Sequence, residues 1–123
     1  MAHWEMIATI TSQLMKDATI EELKQYGLEG HYAQHDGAVF PTDANGVPFT
    51  TAYIETLGDF WADLESDLAA EQRARATYEH LMNLTKDPEV LAPLSFLRQR
   101  EIVHYNRFKE LRDYYLNKYK RNS

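Results

Sequence analysis

No cysteine occurs anywhere in the 123 residues, which excludes a disulfide scaffold, thiolate catalysis and a thiolate zinc site, and fits a reducing compartment. Any metal must be held by nitrogen and oxygen. Positive charge is also scarce. Thirteen basic residues face nineteen acidic ones, a formal net charge of −6, and so nucleic acid is not expected as a partner, because phosphate binding needs a concentrated positive surface. Lys118, Lys120 and Arg121 are too few to supply one; they suit the negative end of a helix dipole or a solvated tail. No uncharged apolar run approaches the roughly 20 residues that cross a bilayer, and no basic, apolar and small-residue leader precedes residue 20. The expectation is a soluble, cytoplasmic protein with no membrane partner. Proline and glycine are few, and many of them fall in one stretch. Gly30, Gly37, Pro41, Gly46 and Pro48 lie within residues 27–50, which therefore reads as a long inter-helix loop or small hairpin with a turn at Asp43-Ala44-Asn45-Gly46. A loop of that length is usually functional or serves assembly.

What remains is helical in pattern. The 44% hydrophobic content and the length suit one domain over residues 1–123 with a real core. Residues 2–16 place His3, Met6, Ile7, Ile10 and Leu14 on one face. Thr19 with Glu22 reads as a capping box for a short helix that Gly27 ends. Residues 51–84 read as one long helix with its stripe through Leu57, Phe60, Leu64, Glu71, Ala74, Tyr78 and Leu81. Asp87-Pro88 opens the last helix as N-cap and first helical residue, and Pro93 either delays its start or kinks it. No solenoid-type repeat is present.

Two of these stripes are interrupted by charge. The last helix presents Leu94, Leu97, Glu101, His104, Phe108, Leu111 and Tyr115 at alternating spacings of three and four, so a Glu-x-x-His pair sits where packing would place aliphatic residues. A carboxylate in a core protonates, pairs or binds a metal. Glu71 is the corresponding acid on the preceding helix. It lies sixteen residues before Asp87, and His104 lies seventeen after (87 − 71 and 104 − 87), so an antiparallel pair turning at Thr85-Lys86-Asp87-Pro88 brings them together. Each residue alone has a plainer explanation as a paired core acid or a surface residue. Three in register on facing helices favour a metal.

The segments Ala70-Glu71-Gln72-Arg73-Ala74-Arg75-Ala76-Thr77-Tyr78-Glu79, Asn83-Leu84-Thr85-Lys86-Asp87-Pro88, Leu94-Ser95-Phe96-Leu97 and Arg100-Glu101-Ile102-Val103-His104 closely resemble the second half of a manganese catalase. Pro41-Thr42-Asp43-Ala44-Asn45-Gly46-Val47-Pro48-Phe49 with Ala52-Tyr53-Ile54-Glu55 resembles that family's central connection, and its spore-coat relatives share much of the pattern. The resemblance implies an all-α, ferritin-like four-helix bundle, here partial, holding two manganese ions that disproportionate hydrogen peroxide to water and dioxygen. It implies Glu71 and His104 as ligands of one manganese, His3 as a ligand of the other, and Glu101 as the proton-handling carboxylate beside the metals. Iron suits the same ligands. It also offers the spore coat as an alternative location.

One departure bears on chemistry. The glutamate expected three residues before His3, and the helix with a further glutamate before that, have no counterpart in the chain. Glu5, two residues after His3, is on another helical face. Either the chain is a piece of a longer protein, with Met1 an internal methionine, or another subunit completes the site. Self-association, and so a homo-oligomer, is therefore expected. The alternative function is a non-catalytic metal-binding or coat-type assembly protein. Arg73 and Arg75 are either counter-charges to Glu71 or a solvated face. His31, His35 and Asp36 read as a surface loop rather than a metal site. The tyrosines between Tyr105 and Tyr119 read as bundle or interface packing.

Overall fold

The computed structural model describes residues 2–43 and 45–121, with side chains as far as Tyr119. The readings placed on Met1, on Ala44 of the turn and on the side chains of Lys120 and Arg121 lie outside the described residues. The helices are α1 (Ala2–Met15), α2 (Ile20–Gln25), α3 (Glu29–His35), α4 (Phe60–Met82) and α5 (Pro88–Arg121), with a short 3-10 turn over Thr51–Tyr53. Among the described residues there is no strand, only an isolated bridge between Thr42 and Pro48. The protein is all-helical, in keeping with a ferritin-like domain. It falls into two compact units, Met1–Tyr53 and Ile54–Ser123.

In the first unit the capping box forms as the sequence indicates. The Thr19 hydroxyl accepts from the Glu22 backbone N–H while the Glu22 carboxylate accepts from that of Thr19. At the other end of α2, Gly27 takes φ +67°, its N–H donates to the Lys24 carbonyl, and that of Leu28 donates to the Leu23 carbonyl. This paired closure needs a residue free to adopt a left-handed backbone. The 27–50 segment is not all loop: Glu29–His35 is helical, which gives His31 and His35 an i, i+4 spacing and ring centroids 5.0 Å apart. Among residues 41–43 and 45–49 the chain doubles back around the Thr42–Pro48 bridge. The Asp43 carboxylate accepts from the Asn45 and Val47 N–H groups, and Phe49 N–H donates to the Pro41 carbonyl at 3.0 Å. On α1 the expected face is off by one residue at its end, for Met15 is buried and Leu14 is 61% exposed.

The second unit is an antiparallel helix pair. Stepping back along α4 through Glu79, Glu71, Glu65 and Phe60 meets Arg98, His104, Arg112 and Tyr115 in ascending order on α5. Its buried apolar residues are Leu64 and Leu68 on one side of the Glu71–His104 level and Leu94 and Leu97 on the other, the last fully buried. Leu68, one turn beyond Leu64, is a core residue that the stripe reading omitted. The expected 51–84 helix starts late. Gly58 at φ +75° turns the chain, the Asp59 carboxylate accepts from the Trp61 and Ala62 N–H groups, and Asp63 collects the Leu57 and Gly58 N–H groups and the Thr56 hydroxyl. These bonds satisfy the open donors of the first turn and stop the helix from extending backward. Leu57, expected on the stripe, is consequently 83% exposed. Pro93 does not delay α5, which starts at Pro88 behind an Asp87 carboxylate that accepts from Glu89 N–H.

Candidate metal centre

Glu71 is on the buried side of α4, past Leu64 and Leu68; Glu101 and His104 follow Leu97 on α5. The three offer ligand atoms that all lie within 4.8 Å of one another. His104 Nδ1 is 3.5 Å from Glu71 Oε2 and 3.6 Å from Glu101 Oε2, too far for good hydrogen bonds and close enough for an ion to draw inward. Glu101 is only 4% exposed. Glu71 Oε2 is a buried oxygen that accepts no hydrogen bond, and leaving such an atom unpaired is costly. A cation bound by this oxygen would remove that cost. The donors, two carboxylates and one imidazole, suit manganese or iron.

Electrostatics agree with the geometry. Burial, then the neighbouring Glu101 and then the charge of Asp67, push the Glu71 carboxyl up to about 8. Tyr78, two turns along α4, is also raised, by burial first and then by the charges of Glu101 and Glu71, so its phenol keeps its proton beside the acids. The Arg100 Nη2 lies 3.4 Å from His104 Nε2, on the far side of the ring from the carboxylates. Sequence reasoning missed this neighbour, although its i, i+4 spacing to His104 is visible in the chain. The suggestion that Arg75 neutralises Glu71 does not hold: its guanidinium donates to Gln72 and to Glu79, which also accepts from Arg98. Arg73 is exposed.

His3 is on α1, half-buried, in the first unit, and is not a member of the Glu71–Glu101–His104 group. His31 and His35, helical rather than in a loop, form no cluster of three ligating groups with any other described residue; the His35 ring stacks on Phe40 with centroids 3.8 Å apart.

An antiparallel helix pair with a glutamate on one helix and Glu-x-x-His on the other is an arrangement from which ferritin-like dimetal sites are built. The comparison with known proteins narrows it. The family model described as manganese containing catalase matches residues 1–113, and the chain belongs to that family. Protein CotJC of Bacillus subtilis (strain 168) is 54% identical over 109 residues, covering 89% of this chain and 58% of that protein. A probable manganese catalase of Clostridium acetobutylicum is 32% identical over 110 residues, covering 89% of this chain and 49% of that protein. A manganese catalase of Bacillus subtilis is 31% identical over 120 residues, covering 88% and 44%. The chain thus spans about half the length of the curated relatives it matches. No solved structure matches it. No helix among the described residues is long and apolar enough to cross a membrane.

Proposed function

We propose that Glu71, Glu101 and His104 form one half of a dinuclear manganese centre, and that the completed centre disproportionates hydrogen peroxide to water and dioxygen. The reading is carried by the convergence of two carboxylates and an imidazole on α4 and α5 around a buried oxygen with no hydrogen bond. Membership of the manganese containing catalase family supports manganese over iron and peroxide as the substrate. Glu71 and His104 would hold one ion, and His3 is the residue that the family pattern offers to the other. A metal pair, when bound, supplies the two-electron cycling by which one peroxide is oxidised to dioxygen and a second is reduced to two waters. The chain's own part is proton handling. Oxidising a peroxide releases two protons and reducing one consumes two, and Glu101, shielded from bulk water beside His104, is positioned to take up and return them.

The test is oxygen evolution from peroxide by protein loaded with manganese(II) and freed of excess metal. Dioxygen release well above that of the same amount of free manganese is expected, with Glu101→Gln lowering it by about 10²- to 10⁴-fold while the metal is retained. No release above free metal would remove catalysis by this chain. One observation favours a second reading, a coat-type assembly or metal-binding protein that does not turn over peroxide: identity is 54% with Protein CotJC, whose name carries no catalase activity, and 31–32% with two relatives named as manganese catalases.

A further inference from the structure

The first unit carries a pair of histidines that the proposed function leaves unused. Residues 29–35 are helical, so His31 and His35 stand one turn apart on the same face of α3. Both are half-buried, and both line a cavity of about 700 Å³ bounded by α1, α3 and residues between Ala38 and Gly46. We propose that His31 and His35 chelate one divalent ion of the nitrogen-preferring kind, zinc, copper or nickel rather than manganese, and that the ion clamps α3.

The spacing of the rings fits a chelate. Two imidazoles on one ion, each nitrogen about 2.0–2.1 Å from it, place their ring centroids roughly 4.5–5.2 Å apart at ligand angles of about 90–109°. The observed separation is 5.0 Å, with the ring planes tilted by 58°. One ring is already held in place: His35 stacks on Phe40, so little side-chain freedom remains to be lost on binding. Among the described residues no hydrogen bond or ion pair engages either imidazole, whereas the polar groups around them are committed elsewhere. The Thr11 and Ser12 hydroxyls donate to the Ile7 and Gly37 carbonyls, and the Asp43 carboxylate accepts from the Asn45 and Val47 N–H groups. The protein therefore offers two nitrogen ligands, and water from the cavity completes the coordination.

This donor set selects the metal. Neutral imidazoles without a carboxylate suit zinc, copper and nickel, which stand above manganese in affinity for nitrogen, while Glu71 and Glu101 supply the oxygen ligands that manganese favours. The two groups thus sort different ions. The ion also has a structural consequence, because a helix of 7 residues is far shorter than one that holds itself in water, and a link from His31 to His35 spans a full turn of it.

The test is titration of the full chain with zinc(II) chloride in a Glu71→Gln/His104→Ala background, which removes the carboxylate group as a competitor. Calorimetry, imidazole NMR and amide exchange are read on the same protein. Binding of about one zinc per chain is expected, with the His31 and His35 ring signals shifted and amide exchange slowed within Glu29–His35. His31→Gln and His35→Gln, each with unchanged helicity, should each weaken zinc binding by about tenfold or more and abolish the slowing. Zinc binding that survives either substitution, ring signals that do not move, or no zinc binding at all would overturn the site. Bound zinc with unchanged exchange in α3 would overturn the clamp. Manganese takes no part in the measurement, so its outcome is separate from that of the metal reading at Glu71.

Discussion

Glu71 is the residue on which the site's chemistry turns. Its folded-state pKa of about 8 exceeds the ordinary value of 4.5, so without metal the folded chain keeps a proton that the unfolded chain releases. The resulting stability is complete below about pH 4.5, declines as pH rises toward 8, and is flat above that. Denaturant midpoints of metal-free protein from pH 5 to 9 should therefore fall with pH more steeply for wild type than for Glu71→Gln, which cannot ionise. Equal slopes would contradict burial as the cause of the shift. Manganese must displace the same proton, so its affinity should rise with pH up to about 8. Isothermal titration in buffers of different ionisation heat would register that proton release, and its absence at pH 7 would count against Glu71 as a ligand.

The elements that position Glu71, Glu101 and His104 are held mainly by a few leucines. Leu97 is fully buried one turn before Glu101, so Leu97→Ala should cost about 2–5 kcal/mol, read from the denaturation midpoint, and loosen the spacing of Glu71, Glu101 and His104. Asp59→Ala should cost about 0.5–2 kcal/mol and fray the first turn of α4, seen as faster amide exchange at Trp61 and Ala62 than elsewhere in the helix. Much of this was legible in the chain. The period of three and four on α5, the Asp87-Pro88 start and the nearly equal distances of Glu71 and His104 from the turn depend only on local geometry, and they bring Glu71, Glu101 and His104 together as expected. The errors came where one residue overrides a pattern. Gly58 and Asp59 stop α4 although Leu57 continues its hydrophobic phase, and helix Glu29–His35 forms within a stretch whose glycines and prolines suggest only loop. Leu68 adds a core position one turn beyond Leu64, and Arg75, four residues from both Glu71 and Glu79, pairs with Glu79, which also accepts from Arg98. A role for His3 could not be read the same way, because it depends on groups that no single helix displays.

At the scale of the whole molecule, the chain is a member of the manganese containing catalase family that spans about half the length of its curated relatives and brings together one glutamate, one Glu-x-x-His and no larger ligand set among its described residues. Under the proposed function this group binds metal. The most direct test is the manganese content of the purified chain after loading and desalting, wild type against the Glu71→Gln/His104→Ala double variant with matched helicity. Retention of about one manganese per chain by wild type and its loss from the variant is the predicted result. Equal manganese in both, or none in either, would contradict the assignment of the site.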